Sequence, residues 1–354
     1  MIKQDKRIQW LDNARAFAIL AVLLCHATEN IYILDASHLN GMNFFSRLFA
    51  ITSFTLGRLG VPIFLFLTGY LLLDRPFDLV DCKKFWRRKW LGLVITTEIW
   101  IVLYDVFLKL IHFPKWEFSW IWKDMLFLTQ VHMGHMWYMP MIIGVYLFLP
   151  FIARGLQGLD IPILRFPIGV LGIYAFGVPV LQVINASLKI KQFGTVLNFG
   201  YSGGVYGIYI ILGYCMKKRL LNRLSKQSLA CLALFSFIAT VSLQLFAFTH
   251  SYNYAVWYNC GLLLISALTF FEYFSRIRVW GKKSWWSWLS QYSFGIYLVH
   301  FPLIMLGAKW LQGMPFKMPV KVGILWVGVL LISSIICLGI SRHARTSRLF
   351  LYDR

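Results

Sequence analysis

LDNARAFAILAVLLCHATENIYIL, residues 11–34, is long and apolar enough to cross a membrane, yet it carries Asp12, Arg15, His26 and Glu29. A helix of about 20 such residues spans a hydrocarbon core about 30 Å thick. An ionisable side chain inside that core costs about 2.5–3.5 kcal/mol on insertion scales. At about 100° per residue, Arg15 and His26 lie about 20° apart once whole turns are removed, with Asp12 and Glu29 within about 60° of them. All four therefore share one side, which predicts a helix enclosed by others rather than facing lipid. Eleven residues of rise separate Arg15 from His26 by about 16 Å. Arg15 then lies near one membrane face and His26 around or beyond mid-depth.

The rest of the chain has the same character. Of 354 residues, 59% are hydrophobic and 14% charged, and the mean hydropathy is +0.65. Soluble domains carry about 25% charge, so a soluble globular enzyme and a disordered tail are both excluded. Apolar windows at roughly 11–34, 48–73, 91–112, 136–153, 166–185, 201–216, 229–248, 256–274, 286–307 and 322–340 predict an all-α polytopic membrane protein of about ten transmembrane helices. Continuous apolar runs do not fit the alternating strands of a β-barrel. The second window is expected to break near Gly57, Gly60 and Pro62.

With the N-terminus inside, 24 of the 35 Lys and Arg fall in cytoplasmic segments, nine in external ones, and Arg15 and Arg58 within spans. Both termini are therefore expected in the cytoplasm. The net charge of +21 is then mostly topological; it suits membrane lipids or an anionic cytoplasmic ligand, and no nucleic acid is expected as partner. The six cysteines form no CxxC pair, which argues against a metal knuckle or redox motif. No repeat and no soluble appendage is visible, and residues 1–354 read as a single transmembrane domain without a cleavable signal peptide.

Function is therefore sought within the bundle. A guanidinium at the depth of Arg15 can grip phosphate. An imidazole at the depth of His26 can act as a general base near neutral pH, and Glu29, three residues on, is placed to orient its ring. Arg58 sits beside the expected helix break, with Glu29, Glu98 or Asp105 as possible partners. His135, Trp137 and Tyr138 occupy an external membrane edge, where an aromatic belt or a carbohydrate site would use them. His300 precedes Pro302, whose ring frees a backbone carbonyl for another donor. Glu98 and Asp105, seven residues apart, would suit a paired-carboxylate hydrolase or, preferably, serve as charge partners for Arg15 or Arg58. Glu272 is expected to offset Arg276.

Four segments, in order, carry a resemblance. WLDNARAFAILAVLLCH (10–26) has Arg-x10-His; GRLGVPIFLFLTGYLLLDR (57–75), GHMWYMPMIIGVYLFLPFI (134–152) and SQYSFGIYLVHFPLI (290–304) follow it. Together they resemble the acyltransferase-3 family of integral-membrane O-acyltransferases, in its stand-alone form such as the enterobacterial common antigen O-acetyltransferase type. The resemblance implies about ten helices in a bacterial inner membrane and an acyltransferase for groups other than aminoacyl groups. It implies acyl-CoA, by default acetyl-CoA, as cytoplasmic co-substrate, and no tightly bound cofactor. The acceptor it implies is a surface glycan or lipid-linked saccharide. Arg15 would then contact the donor and His26 would be the catalytic base. The family's basic motif corresponds to KKFWRRKWLGL (83–93), which nominates Arg87 and Arg88 for acyl-CoA binding. Tyr138, Arg58 and Ser293 are candidates for stabilising an oxyanion. Two rival readings are a transporter, which also uses polar stripes and broken helices, and an acyl carrier that leaves the final transfer to a partner.

Overall fold

The computed structural model describes residues 8–114, 116–197, 200, 204–277 and 283–352. In chain order its helices are α1 (Gln9–Ile31), α2 (Ala36–Asn40), α3 (Phe44–Arg58), α4 (Gly60–Leu72), α5 (Leu79–Phe85), α6 (Leu91–Leu110), α7 (Ser119–Met125) and α8 (Tyr138–Leu156). These are followed by α9 (Ile161–Gly172), α10 (Val178–Ser187), α11 (Gly204–Lys217), α12 (Lys226–Thr249), α13 (Gly261–Ser275), α14 (Lys283–Gln312), α15 (Met318–Ser341) and α16 (Ala344–Phe350). π-Helical turns at Trp86–Trp90 and Ile173–Gly177 join α5 to α6 and α9 to α10, and a 3-10 turn at Gly134–Trp137 leads into α8. No strand occurs among the described residues.

Eight helical segments are long and apolar enough to cross a membrane, and α11 and α13 are shorter apolar helices. The protein is thus an all-α, multi-pass membrane protein, with helices in each of the ten expected windows. Backbone groups in hydrocarbon must find partners within their own segment, which is why the apolar runs are helical. Polar side chains mark the ends instead. Asp35, Asn43, Asp78 and Ser225 cap α2, α3, α5 and α12 by accepting backbone N–H bonds.

The chain breaks between α3 and α4 at Leu59, inside the glycine- and proline-bearing stretch where a break is expected. That two-helix span is the most enclosed of the eight, with 72% of its most apolar window buried, against 22% for α15 at the periphery. It lies directly on α1: a Cβ at Gly57 would come within 2.5 Å of the Cys25 nitrogen, and one at Gly60 within 2.5 Å of the Ala18 oxygen. Helix α14 covers another side of α1, and Trp326 of α15 donates to the Leu20 carbonyl at 3.0 Å. The first helix is therefore central.

Both described ends of the chain lie at one end of the bundle. Ile8, Arg75, Lys89, Lys217 and Tyr352 line one vestibule, and the Tyr352 hydroxyl donates to the Lys89 carbonyl at 2.8 Å. At the opposite end, Asn253 accepts from the Ala36 amide and Asn40 donates to the Phe248 carbonyl, both at 2.7 Å. The first of these is the basic end, as the distribution of Lys and Arg requires. Gly57→Leu forces side-chain atoms into the α1 backbone and is expected to cost about 3 kcal/mol. Gly328→Leu, which meets open space, is expected to be neutral. Thermal unfolding in detergent checks the pair; equal melting temperatures would show that α3 does not rest on α1 at Gly57.

Candidate active site

At the basic end, the Ser290 hydroxyl of α14 donates to Asp12 at 2.8 Å and accepts from Arg15 at 3.1 Å. Asp12 is also within 3.8 Å of the Arg15 guanidinium. These groups border the vestibule, of about 790 Å³. Arg15, Leu71, Arg75, Lys89, Ser293, Phe294 and Tyr352 line both the vestibule and the next cavity, of about 360 Å³. The walls of that second cavity are otherwise largely apolar. Its far side shares Val22, Val61, Tyr138 and Tyr297 with a pocket of about 20 Å³. Cys25, His26, Gly57, Arg58, His135, Trp137 and Tyr258 complete this last pocket. Three spaces thus lie end to end along α1, from Arg15 to His26.

At the deep end, the imidazole Nδ1 of His26 is hydrogen-bonded to the Glu29 carboxylate. With Glu29 ionised, Nδ1 carries the proton and Nε2 holds the free lone pair. The other Glu29 oxygen is 3.9 Å from Arg58. Arg58 is 7% exposed. Its guanidinium carbon stands 4.5 Å from the ring centres of both Phe54 and Trp257, and it donates to the Tyr258 hydroxyl at 3.2 Å. Such cation–π contact offsets part of the cost of taking the charge out of water. Its Nε is buried without a partner among the described residues. Trp137 packs against Trp257 and Tyr258 and so belongs to the same aromatic wall.

Two further imidazoles surround His26. His300 lies 5.3 Å from it between ring centres, His135 lies 6.4 Å away, and the two are 5.0 Å apart. His300 Nδ1 donates to the Tyr297 carbonyl at 2.6 Å, and the Tyr297 hydroxyl donates to the His135 carbonyl at 2.8 Å. His135 Nε2 is 3.3 Å from the Tyr104 hydroxyl. Despite this clustering, no group of three or more His, Cys, Asp or Glu among the described residues is placed to hold a metal ion.

Several expectations change. Arg87 and Arg88 do not line the Arg15 cavity. Phe85, Lys89 and Leu93, spaced by four, form the helical face turned towards it, and Arg87 and Arg88 project from another face. Arg75 and Lys89 join Arg15 at the mouth instead. Glu98 and Asp105 form no ion pair with Arg15 or Arg58; one oxygen of each is buried without a partner among the described residues. Arg15 pairs with Asp12, and Arg58 with Glu29, because these lie at the same depths of the bundle. Glu272 does accept from Arg276, at 2.7 Å. The carbonyl freed by Pro302 is that of Leu298, four residues earlier, and Tyr104 of α6 donates to it. Tyr104 was missed, although a proline inside a span signals that such a donor is needed.

A membrane bundle with a half-buried His–Glu pair at the end of a basic-mouthed cavity suits an enzyme that moves a group within the membrane. The sequence model of the acyltransferase-3 family, described as an acyltransferase domain, matches residues 8–342. The chain belongs to that family and is a membrane acyltransferase acting with groups other than aminoacyl groups. No match is found among curated proteins or among solved structures.

Tyr104→Phe would leave the Leu298 carbonyl and a His135 nitrogen unpaired, at an expected cost of about 1–3 kcal/mol. Thermal unfolding of the purified variant measures it. An unchanged melting temperature would mean that another group satisfies the carbonyl.

Proposed function

We propose that the protein is an O-acetyltransferase of a bacterial inner membrane that takes its acyl group from cytoplasmic acyl-CoA and gives it to a hydroxyl of a surface or lipid-linked carbohydrate. The observation that carries this reading is the chain of spaces along α1, with Arg15 at its mouth and His26 at its end. A phosphate-binding guanidinium and a base about 16 Å apart on one straight helix suit a donor with phosphates at one end and a reactive thioester at the end of a flexible arm.

In this reading Arg15, Arg75 and Lys89 hold the donor's phosphates. Lys217, at the edge of the vestibule, is tied to Asp74 at 3.1 Å. Partial burial works against the Asp74 carboxylate, but its bonds with Lys218 and Lys217 hold its pKa below the ordinary carboxylate value. The pantetheine arm occupies the largely apolar cavity and passes between Val22, Val61, Tyr138 and Tyr297. The small pocket beyond has room for about one hydroxyl group or water. There His26 Nε2 removes the proton from the acceptor hydroxyl as its oxygen attacks the thioester carbonyl carbon. Arg58, whose Nε–H has no other partner among the described residues, donates to the developing oxyanion. Collapse breaks the C–S bond, and the proton held by His26 passes to the departing thiolate. The products are the O-acyl ester and free CoA. Glu29 fixes the tautomer of His26 and stabilises the imidazolium formed on the way. His135, Trp137 and His300 shape the acceptor side, and Ser293 lines the donor arm.

His26→Ala is expected to lower turnover by about 10²–10⁴-fold, measured as CoA released by purified protein in proteoliposomes with a glycan acceptor. Wild-type turnover in that variant would remove the assigned base. Arg15→Gln is expected to raise the KM for acyl-CoA far more than it lowers kcat. A kcat loss with unchanged KM would place Arg15 in the chemical step instead.

A further inference from the structure

The face of α5–α6 turned away from the cavity carries a second feature. Arg87, Arg88 and, from α16, Arg348 line a groove of about 560 Å³ together with Leu91, Ile95 and Leu349. Tyr352 lines both this groove and the Arg15 cavity and so stands between them. Trp100 of α6 donates to the Phe350 carbonyl at 2.8 Å, which fixes α16 beside α6 and Arg348 opposite the other two arginines. All three arginines are exposed, and none has a carboxylate within ion-pair distance among the described residues. Among the described residues nothing neutralises their mutual repulsion.

The apolar part of the groove is ordered with respect to the charge. Leu91 and Ile95, one turn apart on the first part of α6, are both 42% exposed. They continue from the arginines into the membrane span. Trp86 and Trp90, which flank the arginine pair, donate to backbone carbonyls of α8 at 3.0 and 3.1 Å and so fix this turn against that helix. Charge at the interface followed directly by aliphatic surface matches a phosphate that carries acyl chains. A soluble nucleotide would leave Leu91 and Ile95 uncovered.

We infer that this groove binds an anionic phospholipid of the leaflet at the basic end, its phosphate between Arg87, Arg88 and Arg348 and an acyl chain along Leu91 and Ile95. Bound there, the lipid covers the outer side of the wall formed by α16 and Tyr352, and so supports the cavity mouth from outside.

The test is native mass spectrometry of the full chain titrated with phosphatidylglycerol or phosphatidylcholine, with and without saturating CoA. Each arginine is expected to contribute about fivefold to the apparent affinity for the anionic lipid. The triple variant Arg87→Gln, Arg88→Gln, Arg348→Gln should therefore bind phosphatidylglycerol about 100-fold more weakly, with phosphatidylcholine binding unchanged. CoA should not displace the lipid. Equal phosphatidylglycerol affinity in the triple variant would overturn the inference. So would displacement by CoA, which would assign the arginines to the donor instead. If the triple variant does not fold, Arg348→Gln alone is expected to show the fivefold loss, and no loss there counts against the site.

Discussion

A membrane interior gives no water to a charge, and four ionisable side chains on one face of α1 must therefore find partners in the protein. The bundle is arranged around that requirement. Asp12 and Arg15 are met by Ser290; His26 and Glu29 are met by Arg58 and by the rings of His300 and His135. Helices α3 and α14 bring most of those partners to α1, and Gly57 and Gly60 let the backbones of α3 and α4 approach it. A merely structural need could have been met with apolar residues, since replacing buried ion pairs by apolar side chains is often neutral or stabilising. Retaining both clusters at either end of one cavity system points to use rather than to stability.

The two clusters differ in a way that follows from depth. Near the basic end Arg15 is partly exposed and shares a vestibule with Arg75 and Lys89, which suits a ligand arriving from water. At the far end Arg58 is buried and held between aromatic rings, and His26 is locked to Glu29. Preset groups need no reorganisation as charge develops. Val22, Val61, Tyr138 and Tyr297 line both the larger cavity and this small pocket. In the proposed reaction only the acyl end of the donor passes these four residues.

Local features were legible in the chain, and distant pairings were not. The polar stripe of α1, the Glu29–His26 spacing and the Glu272–Arg276 pair follow from helical periodicity within a few turns, and the break at Leu59 from its neighbouring glycines and proline. Lys89 rather than Arg87 or Arg88 reaches the cavity because Phe85 and Leu93, four residues to either side, define the inward face. That choice depends on where α6 packs. Tyr104 at the Leu298 carbonyl and Tyr258 on Arg58 join residues 194 and 200 positions apart. Such contacts are set by which helices become neighbours, and a single sequence carries little signal for that. The same holds for Glu98 and Asp105, whose charges invited pairing with arginines that packing gave to Asp12 and Glu29.

The central claim is that one molecule of donor reaches from Arg15 to His26 through this passage. A structure of the protein with a non-transferable thioether analogue of acyl-CoA tests it most directly. The account predicts density for phosphates beside Arg15, Arg75 and Lys89, with the carbonyl carbon beyond Tyr138 and Tyr297 and next to the His26 pocket. Density for the analogue outside the α1 cavity, or with its carbonyl held on the basic-end side of those tyrosines, would contradict it.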